Sequence, residues 1–196
     1  VQKNILEAMN ESMILRGPDD TGTYVDGQFG MSMRRLSIID VGGGHQPISN
    51  EDNSIWVVQN GEIYNYVELR KDLENKGHVF ETNSDTEVLV HLYEEYGTNA
   101  VDHLNGMFAF ALWDEIKKRL WLVRDRLGIK PLVYFEYPGG LAFASSLSAL
   151  IQHPCFSRDV DCESLLLYFM LAYIPTPRTI WKRARKLEPG HWILVE

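Results

Sequence analysis

Apolar residues recur at helical spacing over residues 2–15, where Ile5, Leu6, Met9 and Met13 share one face and Arg16-Gly17-Pro18 ends the pattern, predicting an amphipathic helix. The polar stretch 16–22 then reads as a turn punctuated by Gly and Pro. Phe29-Gly30-Met31-Ser32-Met33 alternates as a strand and runs into Arg34-Arg35-Leu36-Ser37-Ile38-Ile39-Asp40. The apolar run Ile55-Trp56-Val57-Val58 predicts a buried strand that stops at Asn60-Gly61, and Asn65 caps a helix carrying Val67, Leu69 and Leu73 and closed by Gly77. An Asn-Gly pair after such a run is ordinarily a type I′ hairpin turn. Here only Ile63 and Tyr64 remain before the helix, too little for a second strand, so a strand-to-helix junction is the competing reading.

Ser84 with Glu87 three positions on has the form of a capping box, opening a helix through Val88, Leu89, Leu92 and Tyr93. Asp85 would then sit inside the first turn and be kept ionised by the helix N-terminus. Residues 106–114 and 119–125 are two buried-looking strands joined by the charged turn 115–118. Further strands are expected at 133–135 and 141–144, a short helix from Ser145-Ser146 to Leu150, and a helix over 163–171. Prolines keep 173–178 extended, and 191–195 is a last strand. Strand-rich meanders with interspersed helices point to an α+β layered fold rather than strict βαβ alternation.

Composition narrows the function classes. With 196 residues, 45% hydrophobic and 23% charged, the chain can bury a sizeable core. Its apolar runs are shorter than the ~20 residues that span a bilayer, so no membrane partner is expected. A net charge of -8 argues against a nucleic-acid surface, and the basic cluster Lys182, Arg183, Arg185 and Lys186 reads as a solvated face. Two cysteines, Cys155 and Cys162, make neither a disulfide framework nor a metal set, which fits a reducing, cytoplasmic setting.

Four groups could carry chemistry. The Asn60 amide and the Gly61 N–H would, at a junction, face one space as donors to a developing oxyanion; in a plain turn they would not. One of Arg34 and Arg35 could hold a carboxylate bidentately, although arginines before an apolar stretch are usually solvated strand-edge charges. Asp85 is accounted for by helix electrostatics, or it faces a ligand ammonium. His153-Pro154-Cys155 admits a Cys–His pair in principle, but its loop setting favours a free thiol. The triple glycine of the flexible 41–47 stretch lacks the Gly-Lys-Ser/Thr ending and helix start of a phosphate loop, and His45 within it reads as an exposed loop histidine.

Arg16-Gly17-Pro18-Asp19, Arg35-Leu36-Ser37-Ile38-Ile39-Asp40, Asn60-Gly61-Glu62-Ile63-Tyr64-Asn65, Ser84-Asp85-Thr86-Glu87, Gly106-Met107-Phe108-Ala109-Phe110 and Arg124-Asp125-Arg126-Leu127-Gly128-Ile129-Lys130-Pro131-Leu132 occur in one order. Together they closely resemble the class II glutamine amidotransferase domain of glutamine-hydrolysing asparagine synthetases. The tail Tyr173-Ile174-Pro175-Thr176-Pro177-Arg178, with Lys186-Leu187-Glu188-Pro189-Gly190-His191, resembles the segment leading to that family's synthetase domain. The resemblance implies a four-layer αββα sandwich of two antiparallel sheets, of the N-terminal-nucleophile hydrolase type. It also implies a glutaminase domain over 1–157, with 158–196 as its end and the linker to the synthetase domain.

By the same resemblance Asn60 and Gly61 form the oxyanion hole, Arg35 holds the glutamine α-carboxylate, Asp85 holds its α-ammonium, and Glu62 with Leu36, Ser37, Ile38 and Ile39 completes the pocket. The family hydrolyses glutamine to glutamate and ammonia with an N-terminal cysteine whose α-amino group is the base. The ammonia goes to ATP-dependent amidation of aspartate. No cofactor or metal is expected in this domain, ATP and Mg belong to the synthetase domain, and homodimer formation is left open. The family's opening Met-Cys-Gly strand does not appear, and the chain starts at Val1 inside the first helix, so these residues by themselves are expected to be inactive. The alternatives are a class II amidotransferase with another acceptor, or a non-catalytic amino-acid-binding or interaction module.

Overall fold

The computed structural model describes residues 2–40 and 42–196; the expectations attached to Val1 and to Val41 in the 41–47 stretch lie outside the described residues. Two apolar strands, β4 (Ile55–Ile63) and β5 (Gly106–Asp114), pair antiparallel along their whole length, Ile55 opposite Asp114 and Ile63 opposite Gly106. They are the centre of a five-stranded sheet that β3 (Ile48–Ser49) closes on one side, and β6 (Arg119–Arg124) and β10 (Trp192–Val195) on the other. Because both faces of this sheet are covered, its strands are apolar on consecutive positions: Phe108 through Asp114 are all buried.

One face packs under α2 (Tyr66–Asn75) and α3 (Val88–Tyr96), where Ile63, Leu89, Leu92, Phe110 and Trp121 form the largest core cluster. The other face meets a second β layer in two separately paired pieces. These are the hairpin of β1 (Asp20–Asp26) with β2 (Phe29–Arg35), and the sheet β8-β7-β9 made from β7 (Val133–Tyr137), β8 (Gly140–Ala144) and β9 (Ala184–Lys186). Met31, Val58, Ala111, Leu122 and Leu132 pack between the layers. Outside the three-stranded sheet, α1 (Lys3–Glu11) and α4 (Leu147–Leu150) bury Met9 and Leu150 against Phe135. The order helix, sheet, sheet, helix is the four-layer α+β sandwich expected from sequence. Residues 158–196 supply α5 (Cys162–Leu171) and strands to both layers, β9 beside β7 and β10 beside β6.

Local expectations change in several places. The Asn-Gly pair is neither a turn nor a junction: β4 runs through it, with Asn60 opposite Ala109 and Gly61 opposite Phe108. Gly61 has φ +143, and a Cβ there would lie 2.0 Å from the Met107 carbonyl oxygen, so the ladder can pass only through a glycine. The expected turn 16–22 already contains the start of β1, because Asp20 to Gly22 pair with Met33 to Arg35. The capping box does not form. Helix α3 begins at Val88, Ser84 Oγ accepts the Thr86 N–H, and Glu87 accepts the N–H groups of Glu81 and Thr82 at 2.7 Å each. Asn65 occupies the N-cap position of α2 without a side-chain cap; its amide instead ties Asn105 N–H and the His103 carbonyl. In the basic cluster Lys186 is not solvated: its Nζ donates to the Ile174 carbonyl, and burial pulls its pKa down.

Candidate active site

A cavity of about 680 Å³ opens in the second β layer, with β2 on one side, β8 on the other, α1 above and the β4–β5 pair as its floor. Arg35, Leu36, Ile38, Ile39, Asn60, Gly61, Glu62 and Asp85 all line it, so residues spread over three sequence motifs converge there. Of the expected pocket residues Ser37 stands apart: its N–H donates to Asp19 Oδ2 at 2.9 Å, which anchors the loop after β2 to the Arg16-Gly17-Pro18-Asp19 segment. That segment packs flat on β2, since a Cβ on Gly17 would fall 2.3 Å from the Arg34 carbonyl carbon.

Arg35 ends β2 and is buried, with Nη2 donating to the carbonyls of Ile39 (2.5 Å) and Asp40 (3.1 Å). These bonds curl the 36–40 loop around its own guanidinium. Gly44 seals the far side, because a Cβ there would sit 2.5 Å from Arg35 Nη2. The triple glycine therefore serves close packing on Arg35 and Asp40 rather than phosphate binding. His45 is exposed, as expected, with Nδ1 2.7 Å from Asp20 Oδ2.

Asn60 places its Nδ2 in a buried position with no hydrogen-bond partner. Buried amide donors are rarely left unpaired, and one aimed into a cavity beside a positive-φ glycine is a donor kept available for something that binds there. Asp85 is only 5% exposed and precedes α3 rather than lying in its first turn. Its Oδ2 accepts the Ile63 N–H at 2.9 Å and Gln59 Nε2 at 3.3 Å. Burial pushes the Asp85 carboxyl upward, against those two hydrogen bonds and with a further push from the Glu62 charge. The expected dipole-stabilised acid is thus replaced by a desolvated one with no ion-pair partner among the described residues.

Two site residues escaped the sequence reading. Gln46 is buried on the cavity wall, its Oε1 accepting the Gln59 N–H at 2.7 Å and its Nε2 donating to Thr86 Oγ1 at 3.1 Å. Gln59 carries the chain on to Asp85 and leaves its own Oε1 buried without a partner. The available signal was a glutamine inside the apolar run Trp56-Val57-Val58-Gln59, where a polar side chain needs a reason to be buried. The cysteines do not supply a nucleophile pair. Cys155 is exposed at the cavity rim, and His153 Nδ1 accepts the Cys155 backbone N–H at 3.2 Å, not its thiol. Cys162 is exposed at the start of α5.

Residues 1–196 match the family described as "Glutamine amidotransferase domain". The chain is 43% identical over 189 residues to asparagine synthetase [glutamine-hydrolyzing] 1 of Bacillus subtilis, covering 96% of this chain and 30% of that protein. It is 49% identical over 163 residues to asparagine synthetase 2 of the same organism, covering 83% of this chain and 22% of the relative. The Arabidopsis thaliana asparagine synthetase 1 is 49% identical over 149 residues, 76% of this chain and 24% of that one. The chain thus spans less than a third of these relatives. Among solved structures, the glutamine phosphoribosylpyrophosphate amidotransferase of B. subtilis aligns with a TM-score of 0.66 at 23% identity, over 81% of this chain and 42% of that one. That likeness is one of fold.

Proposed function

The chain belongs to the glutamine amidotransferase domain family, and on that premise we propose that its cavity holds free glutamine with the side-chain amide presented for hydrolysis to glutamate and ammonia. The observation that carries the reading is the buried, unpartnered Asn60 Nδ2, in a cavity that also holds one buried cation, Arg35, and one buried acid, Asp85. An α-amino acid offers one carboxylate and one ammonium. Arg35 commits Nη2 to its own loop and turns its remaining N–H edge to the carboxylate. Asp85 takes the ammonium, which supplies the missing cation and relieves its desolvation.

The amide oxygen then lies against Asn60 Nδ2 and the Gly61 N–H. A thiolate attacks the amide carbon, and negative charge on the oxygen is stabilised by these fixed donors. The carbon–nitrogen bond breaks as the nitrogen gains a proton and leaves as ammonia, and water hydrolyses the resulting thioester to glutamate. Neither Cys155 nor Cys162 is set for that attack; the nucleophile that the family resemblance implies is a terminal cysteine, which residues 1–196 do not include, with its α-amino group accepting the thiol proton.

For the use of the ammonia, the relatives' name, glutamine-hydrolysing asparagine synthetase, supports delivery to a synthetase domain; ATP-dependent amidation of aspartate, with ATP and Mg bound there, is what the family resemblance implies. The exposed apolar residues Leu166, Phe169 and Met170 of α5 are the surface we assign to such a domain. Calorimetric titration with L-glutamine tests the pocket: binding abolished by Arg35→Ala and kept in Asn60→Ala supports it, and no binding, or binding indifferent to Arg35, overturns it.

A further inference from the structure

Away from the cavity, beyond the β4–β5 sheet, four side chains with no metal-ligand spacing in sequence meet at one point. Glu51 comes from the turn between β3 and β4, His78 from the segment after α2, and His91 and Glu94 from adjacent turns of α3. One ligand atom of each lies within 4.8 Å of all the others. His91 is fully buried, its Nδ1 lying 3.0 Å from Glu94 Oε2 and 3.5 Å from Glu51 Oε2. His78 Nδ1 lies 3.5 Å from the same Glu94 Oε2 and 3.6 Å from Glu51 Oε1.

Three of these four separations are too long for good hydrogen bonds. They lie near the ligand–ligand distance of about 3.3 Å that metal–ligand bonds of about 2.0–2.1 Å give in a tetrahedron, and with one atom of each group within 4.8 Å of the others the side chains need draw in only slightly around an ion. The surroundings have the form of a second shell. Glu51 Oε1 accepts the Val79 N–H at 2.8 Å, and Glu94 Oε1 accepts Asn50 Nδ2 at 2.9 Å, which fixes both carboxylates. Each imidazole turns Nδ1 towards the meeting point and Nε2 away from it, His78 Nε2 lying 3.3 Å from Glu95 Oε1 and His91 Nε2 3.8 Å from Glu87 Oε1, buried without a hydrogen-bond partner. Loss of the Nδ1 proton on metal binding would leave both rings offering that nitrogen, with an acid on the far side of each. Four carboxylates, Glu51, Glu87, Glu94 and Glu95, surround the rings, with Lys76 on Glu95 as a nearby ammonium.

We propose that Glu51, His78, His91 and Glu94 bind one divalent transition-metal cation, Zn²⁺ fitting the imidazole and carboxylate donors and the tetrahedral edges. Four protein ligands close the coordination sphere, so the site is structural. It fastens the β3–β4 turn and the α2–α3 connection to α3, whose lead-in carries Asp85. It does not depend on what the cavity binds.

The test is titration of chelator-stripped protein with Zn²⁺ and Co²⁺. One equivalent is expected to bind, Co²⁺ with the strong visible absorption of a tetrahedral site, and Tm to rise by about 5–10 °C at hundredfold excess over Kd. Glu51→Gln and Glu94→Gln, at partly exposed positions, should each weaken binding at least about tenfold. His78→Cys should retain Co²⁺ and add a thiolate charge-transfer band. Weak octahedral Co²⁺ alone, or unchanged affinity in both glutamine variants, would overturn the proposal.

Discussion

Asp85 Oδ2 accepts the backbone N–H of Ile63 at 2.9 Å, which fixes the buried acid to the same strand that presents Asn60 and Gly61. The group we propose to read a substrate ammonium and the donors we propose to stabilise an oxyanion therefore share one support, β4. Gln59, the residue before Asn60, adds a second bond to the same carboxylate oxygen.

In a chain that carries the terminal cysteine, Asn60→Ala should lower kcat for glutamine hydrolysis by about 10²–10³ with little change in KM, because its donor matters once charge develops on the oxygen. Tm should hold, since the deleted Nδ2 has no partner in the folded protein. Steady-state ammonia release beside a thermal melt checks both; a KM effect without a kcat effect contradicts the role.

Arg35→Ala and Asp85→Asn should each raise the glutamine Kd about tenfold or more, the loss of a charge-assisted contact of roughly 1.5–3 kcal/mol. Asparagine and glutamate titrations distinguish a general loss of amino-acid binding from a change in side-chain selectivity.

Asp85 also sets a pH dependence. Burial raises its pKa in the folded protein above the ordinary 3.8. The folded state then binds the proton more tightly than the unfolded one, so wild-type stability from this group is full below that value and is lost as pH rises through the shifted pKa. Asp85→Asn escapes the loss and still offers an acceptor to Ile63. Its Tm should match wild type in acid and exceed it at neutral pH; a constant difference across the range would refute this.

Two glycines at the site should fail differently. Gly61→Ala meets backbone, 2.0 Å from Met107 O, at positive φ, and should cost more than about 2 kcal/mol of stability. Gly44→Ala meets chiefly the end of the Arg35 side chain, 2.5 Å away, with the Asp40 carbonyl oxygen next at 3.3 Å, and should raise the glutamine Kd by displacing the guanidinium while Tm moves less.

The Arg124-Asp125 motif should prove to be structural. Asp125 is 1% exposed and accepts the N–H groups of Leu127, Ile129 and Lys130 at 3.0–3.1 Å. Asp125→Ala removes one carboxylate that serves three part-buried N–H groups at once, which should cost about 3–5 kcal/mol. Tm should then fall by at least about 6 °C, while glutamine KM at low temperature stays unchanged.

The sequence by itself determined the strands and helices whose apolar pattern is strong, such as β4, β5, β6 and α1. It also determined the short helix opened by Ser145-Ser146, where the structure adds a cap, the Ser146 side chain accepting the Ser148 N–H. It identified Arg35, Asn60, Gly61 and Asp85 as residues worth placing, since their motifs are local and contiguous. Tertiary structure alone decided how they act. Whether Asn60-Gly61 turns or continues depends on β5 lying alongside to pair with it, information held nearly fifty residues away. Asp85 changes from an ionised helix-start residue to a desolvated acid because β4 covers it. Burial is a property of the packed neighbours, and no spacing within 84–87 encodes it. The same holds for Gln46 with Gln59, and for Glu51, His78, His91 and Glu94, whose side chains converge only once two separate segments have closed on α3.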